Sequence, residues 1–290
     1  MLRLVRALRE GPAAHVLVRH DQRGSRLPAA EIEAAGALAV EDAVTFEWGG
    51  VGQLELLTGV IERAARELDP DWLLVLSGQD YPLRPLAEIE ASLANETHDA
   101  LLGDAWEVPT GALPDPPRDE FFLRYLYRHH AVPAPAPRLP GRLRPLAYLR
   151  ERPEPLPPQL GVRRLRTPFD DGFRPFVSAD WLTLGRHAIA KVRRAAADRG
   201  LVRYYRRAAV PSEGFFATAL LNDRVLAVSR HNRRYAHFER AGAPHPRTLT
   251  AADLDAIDAT DSLFARKFDT EVDVHVLDLL DERRRALSGR

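Results

Sequence analysis

Apolar residues recur along the chain in two rhythms, and the switching between them predicts alternating helices and strands. Leu2, Val5 and Leu8 fall on one face of a helix over 2–8. A β-branched apolar run at 15–18, ending at His20-Asp21, reads as a strand, and a second strand is expected over 43–46. Over 51–68 the residues Leu54, Leu57, Val60, Ile61 and Ala64 mark an amphipathic helix. The run over 72–76, bounded by Asp71 and Ser77-Gly78, has the character of a central parallel strand buried on both faces. A helix over 86–93 and a strand over 100–102 continue the alternation, which argues for a parallel-rich open sheet.

Between 109 and 158 the rhythm stops, because 13 of the 23 prolines lie there. Regular structure is not expected in that stretch beyond a short helix over 121–128. Order resumes near Phe173 with a strand over 181–184, helices over 188–199 and 213–221, a strand over 224–228 and a C-terminal helix over 274–287. No internal repeat is present.

Composition narrows the functional classes. The chain has 290 residues, enough for one large α/β domain or two small ones. Its 41 basic residues balance 41 acidic ones, which argues against a nucleic-acid footprint. It has no cysteine, hence no disulfide framework, thiol nucleophile or thiolate metal site. No apolar run approaches the roughly 18 to 20 residues of a membrane span, and the arginine-punctuated N-terminus is not a secretory signal. Only Lys191 and Lys267 among the basic residues are lysine.

Several segments can carry chemistry, each with a bland alternative. Ser77-Gly78-Gln79-Asp80-Tyr81-Pro82 follows the best strand, where open α/β sheets bind ligands, or it is a simple turn that Asp80 caps. Trp48-Gly49-Gly50 precedes a helix whose first amides suit a phosphate or a sugar. Glu213 falls in the first turn of a helix, where the dipole favours an acid for stability alone. Trp181 reads equally as core or as acceptor wall. The Asp-x-Asp matches, Asp69-Pro70-Asp71 and Asp253-Leu254-Asp255, are badly placed for a nucleotide-bridging metal ion. His129-His130 lacks a metal-ligand spacing. The phosphate-loop, dinucleotide and hydrolase signatures are missing.

Taken in order, the motifs resemble the core-2/I-branching β-1,6-N-acetylglucosaminyltransferase family, glycosyltransferase family 14, which includes peptide O-xylosyltransferases. The resemblance runs through Leu-Val-Arg-Ala-Leu at 4–8, Val-Leu-Val-Arg-His-Asp at 16–21, Trp48-Gly49 and Leu-Leu-Val-Leu-Ser-Gly-Gln-Asp-Tyr-Pro-Leu at 73–83. It continues through Ser178-Ala-Asp-Trp-Leu-Thr-Leu-Gly-Arg186, Pro-Ser-Glu-Gly-Phe-Phe-Ala-Thr at 211–218, His245-Pro246 and Leu-Phe-Ala-Arg-Lys-Phe-Asp at 263–269.

The resemblance implies an α/β, GT-A-like (Rossmann-related) open mixed sheet flanked by helices. It implies one domain over 1–290 with a proline-rich loop at about 109–160, favoured as a loop over the acceptor side rather than a polyproline ligand. The family's first strand, expected before the helix over 2–8, is missing from the sequence. The implied reaction is metal-independent, inverting transfer of N-acetylglucosamine or xylose from a UDP-sugar to an acceptor hydroxyl, with no cofactor beyond that co-substrate. Glu213 matches the general base, with Ser212 where the family carries Asp. Lys267 and Arg234, or Arg233 instead of the latter, match the basic pair on the diphosphate. Asp21 would lie near the uridine, and Trp48, Gly49, Ser77, Gly78, Asp80 and Trp181 would line the donor and acceptor pocket. The alternative is a catalytically impaired relative that binds sugar or nucleotide. The implied location is cytoplasmic or peripheral at the membrane.

Overall fold

A computed structural model describes residues 1–11, 13–20, 28–40, 49–110, 120–135, 138–143, 146–152, 156–240 and 245–288. Within these the chain is mixed α/β, with helices and several small sheets. It divides into two compact units: Met1–Val44, Leu74–Thr97 and His231–Arg290 form the first, and Thr45–Leu73 with His98–Arg230 the second.

The first unit opens with the expected helix, Leu2–Leu8. The parallel strands Leu17–Arg19 and Leu38–Val40 flank the helix Ala29–Ala34, which the sequence reading did not contain. Val5, Ile32 and Ala37 form the core between these elements. A three-stranded sheet has Phe264–Arg266 at its centre, parallel to Arg234–Ala236 and antiparallel to Asp80–Pro82.

Strand alternation sorts this sheet's residues by face. Tyr81, Ala265 and Tyr235 turn to one side, where they join Leu4, Ala7, Phe268, Leu277 and Leu280 in a core. That core is lined by the helices Leu2–Leu8 and His275–Ser288. Asp80, Arg234 and Arg266 therefore fall together on the other face. At the packed side, Asp281 accepts from Tyr81 Oη at 2.7 Å and from Arg284 Nη2 at 2.6 Å, fixing the last helix.

The second unit is organised around the helix Pro211–Leu221. Its Phe215, Phe216, Ala217, Ala219 and Leu220 are all buried, because a helix apolar on every side must be enclosed. It packs on the strand Phe176–Ser178 and the helices Val51–Glu67, Arg186–Ala197 and Arg199–Tyr205. A four-stranded sheet runs in the order Val228–Ser229, Ala100–Leu101, Thr183–Gly185, Trp72–Leu74.

Two expectations are corrected here. Trp72–Leu74 is not central: among the described residues it is one of the two edge strands of its sheet, and it is half-buried. The ring of Trp72 lies over Gly185 of the neighbouring strand, and an apolar run by itself cannot tell an edge strand from a central one. Pairing is also not dominated by parallel strands, since Ala100–Leu101 is parallel to one neighbour and antiparallel to the other.

The proline-rich stretch likewise holds more order than expected. After the helix Glu120–Leu126, the strands Tyr127–Ala131, Gln159–Arg163 and Ala147–Arg150 form an antiparallel sheet with Gln159–Arg163 in the middle. The prolines lie outside the three strands, where no ladder donor is lost. The inward Tyr127 and His129 alternate with the outward Arg128 and His130, a two-residue period that proline density masked. The strand expected over 43–46 lies outside the described residues.

Candidate functional site

Glu213 stands in the first turn of Pro211–Leu221, one residue past Ser212 and three past Val210. Pro211 at the first helical position has the φ that a helix start needs. Val210 carries φ 48° and ψ 58°, the left-handed region, where a β-branched side chain is strained. Three contacts fix it. Its N–H donates to the Gly49 carbonyl at 3.0 Å, its carbonyl accepts from Tyr125 Oη at 3.1 Å, and its Cγ2 closes over Gly49. Gly49 itself has φ 69°, so it lies against this turn as a conformational necessity.

The Glu213 carboxylate accepts from Arg124 Nη1 at 2.8 Å, and Arg124 also holds Glu120. Burial pushes the Glu213 pKa up, against the pull of Arg124. A carboxylate so desolvated is a better proton acceptor than one in water, which is the property a general base requires.

A second carboxyl lies beside it that the sequence reading did not single out. Asp180 is buried, and its Oδ2 accepts from Ser212 Oγ at 2.8 Å and from Gln53 Nε2 at 2.5 Å. Neither donor is a cation, and Oδ1 is buried with no hydrogen-bond partner. Burial, then the negative charge of Glu213, pushes the Asp180 pKa up to about 8. Asp180 is therefore a neutral acid at pH 7, hydrogen-bonded to the residue next to Glu213. Ser178 and Thr183 interrupt the apolar residues around it, so Asp180 does not stand out locally in the sequence. Trp181 follows it, half-buried.

In the first unit, the turn Ser77–Asp80 is closed by its own residues. Asp80 N–H donates to the Ser77 carbonyl at 3.1 Å, and the Asp80 carboxylate accepts from Ser77 N–H. Asp80 thus caps its turn, and it also forms an ion pair with Arg266 Nε at 3.1 Å. Gly78 is open, with no atom near the place a Cβ would take. It borders a cleft of about 170 Å³ shared by Arg3, Asp80, Phe268 and Asp269.

Arg234 is the most unusual group in this unit. It is 8% exposed, and its Nε, Nη1 and Nη2 all lack hydrogen-bond partners. Burial lowers its pKa to about 10; Asp80 opposes that change and Arg266 adds to it. Arg233 differs, with φ 53° and its guanidinium on Ser92 Oγ. Lys267 is half-buried just beyond the strand Phe264–Arg266, where its carbonyl accepts from Leu249 N–H at 2.8 Å.

The sequence-derived residues thus fall in two groups. Asp80, Arg234 and Arg266 share one sheet face of the first unit, with Ser77, Gly78 and Lys267 next to them in the chain. Gly49, Trp181 and Glu213 belong to the second unit. Asp21 and Trp48 lie outside the described residues. The Asp-x-Asp pairs have structural partners: Asp69 and Asp71 hold Arg186, and Asp253 caps a turn and binds Arg247. His129 is a core residue, hydrogen-bonded to Tyr148 Oη at 2.7 Å, and burial lowers its pKa to about 4. Among the described residues no cluster of three His, Asp or Glu side chains has the arrangement of a metal site, and no helix is long and apolar enough to cross a membrane. No protein-family model matches the chain, and no curated protein matches it.

Proposed function

We propose that the chain is an inverting glycosyltransferase of GT-A-like fold. It moves a sugar, N-acetylglucosamine or xylose, from a UDP donor to an acceptor hydroxyl without a metal ion. The observation that carries this reading is Arg234. A guanidinium removed from water with three unpartnered nitrogens costs several kcal/mol unless an anion meets it, and a nucleoside diphosphate is an anion of the right charge and fork geometry.

In this reading Arg234 and Lys267 receive the charge that develops on the leaving diphosphate, the role a divalent ion fills elsewhere. Glu213 removes the acceptor proton as the new bond forms, a contribution of roughly 10² to 10⁴ in rate. Attack from the face opposite the leaving group inverts the anomeric centre, so an α-linked donor gives a β-linked product. One base suffices, because no covalent glycosyl-enzyme forms. Asp180, kept neutral by burial, adds no second negative charge beside Glu213.

The test is UDP release from a panel of UDP-sugars in the presence of EDTA, with and without simple saccharide acceptors. Glu213→Gln is expected to lose at least about a hundredfold in kcat while retaining UDP binding. Unchanged turnover in that variant removes Glu213 as base. UDP binding with no turnover of any donor by the wild-type protein leaves a binding protein of the same fold.

A further inference from the structure

Trp106 has no part in the reaction described above. It lies in the strand Ala105–Glu107, which pairs antiparallel with Phe176–Ser178 in the second unit, and it is 52% exposed. Its indole is offset-stacked on the half-buried Phe121, with ring centroids 5.8 Å apart and planes 17° from parallel. With one face on Phe121, the indole meets solvent through its other face and its edges. A lone exposed hydrophobic residue needs no explanation. Two stacked rings held in one orientation make a flat, rigid surface, and this one adjoins the general base.

Phe121 belongs to the helix Glu120–Leu126, where residues three and four apart are neighbours. The guanidinium of Arg124 accordingly lies over the Phe121 ring, 5.4 Å from its centroid. That guanidinium donates through Nε to Glu120 at 3.0 Å and through Nη1 to Glu213 at 2.8 Å. Stack, cation and base are thus consecutive neighbours, and these contacts hold Trp106 within about the length of a trisaccharide from the Glu213 carboxylate. The Glu213 side chain is 24% exposed, so a hydroxyl can reach it. Arg124 is shared between two carboxylates and brings no excess positive charge to the stack. The surface on offer is an electron-rich aromatic face beside paired polar groups. A pyranose ring matches it: polarised C–H groups cover its faces and meet the negative face of the indole, while its hydroxyls project at the rim.

We propose that Trp106, backed by Phe121, is an acceptor subsite that stacks one ring of a neutral oligosaccharide while a hydroxyl of the same molecule meets Glu213. The proposal rests on the transferase reading for the role of Glu213 and adds the class of acceptor, a saccharide. A peptide acceptor whose hydroxyl belongs to serine has no flat ring for the indole. A nucleotide base would also stack on Trp106, but its phosphates would find Arg124 already taken by Glu120 and Glu213.

The experiment is saturation-transfer NMR and tryptophan emission of the full chain, without donor, titrated with lactose, N-acetyllactosamine, maltotriose and chitotriose. At least one of these is expected to bind and to shift the emission to the blue. Trp106→Ala should weaken that binding at least about tenfold, the size expected on uncovering one face of an indole. Trp106→Phe should recover most of the affinity without the emission shift, because a flat ring returns and the indole does not. Circular dichroism checks that both variants fold, and the Phe variant carries the test if the Ala variant does not. No binding of any of the four saccharides overturns the proposal, as does unchanged affinity in Trp106→Ala or an unchanged emission shift in Trp106→Phe. Binding of a serine-rich peptide or of AMP in place of the saccharides also overturns it. Saccharide binding through Trp106 with no turnover of any UDP-sugar supports the stacking site and removes the transferase reading, whereas turnover without saccharide binding does the reverse.

Discussion

Asp180 makes a prediction whose sign and size follow from its surroundings. Its carboxyl is buried among neutral donors and titrates near pH 8, against 3.8 for the free side chain. A group whose folded pKa is raised contributes stability that is complete below the unfolded value and is lost as pH rises to the folded one. Each pH unit in that window removes about 1.4 kcal/mol. His129 acts in the opposite sense, but only between its folded value near 4 and its free value of 6.5. From pH 6.5 to 8 the Asp180 loss therefore stands clear of it, and amounts to about 2 kcal/mol. Asp180→Asn keeps the shape and cannot ionise. Urea unfolding at half-unit pH steps across this window, followed by far-ultraviolet circular dichroism, should show the wild-type free energy falling by that amount relative to the variant. Parallel curves, or a wild type that gains on the variant as pH rises, would refute the claim that Asp180 is buried as a neutral acid.

Two further outcomes follow from features of each unit. Arg234→Met removes an uncompensated buried cation, so it should raise ligand-free stability by about 1 to 3 kcal/mol while weakening UDP at least tenfold; thermal melts and calorimetric titration of the same samples check both halves. Gly214→Ala places a Cβ 2.4 Å from Tyr125 Cε1 and 2.7 Å from Tyr205 Cε1, an overpacking expected to cost about 1 to 3 kcal/mol in denaturant unfolding.

The long amphipathic elements were legible from periodicity alone. Val51–Glu67, Leu86–Ala94, Arg186–Ala197 and His275–Ser288 lie close to their expected bounds, since more than two turns of repeat outweigh end effects. Two- and three-residue strands such as Phe264–Arg266 and Arg234–Ala236 were not legible, because their alternation is too short to register and their pairing is set by partners distant in sequence. Proline density hid the Tyr127–Ala131 strand for the reason given above.

Among the candidate residues, the sequence pointed at Glu213, Arg234 and Asp80, each of which occupies a strained, desolvated or ion-paired position. It passed over Asp180 and Arg124, whose roles arise from burial beside Glu213 and from a contact spanning 89 residues. Neither leaves a local signature. The choice between Arg233 and Arg234 could not be made from spacing. Strand geometry puts Arg234 on the face with Asp80, while the Arg233 guanidinium donates to Ser92 Oγ.

Val210 carries a consequence for how this protein tolerates sequence drift. Its left-handed backbone is held by the Gly49 carbonyl and the Tyr125 hydroxyl, and it sets the direction in which the turn bearing Glu213 leaves the preceding chain. Tyr125→Phe removes one of the restraints that hold the strained valine, so it is expected to cost more with valine at position 210 than without that strain. Where glycine occupies it, no strain is stored and the same change at Tyr125 is far milder. Positions 49, 125 and 210 are thus coupled: the cost of a change at one depends on which residue stands at the others.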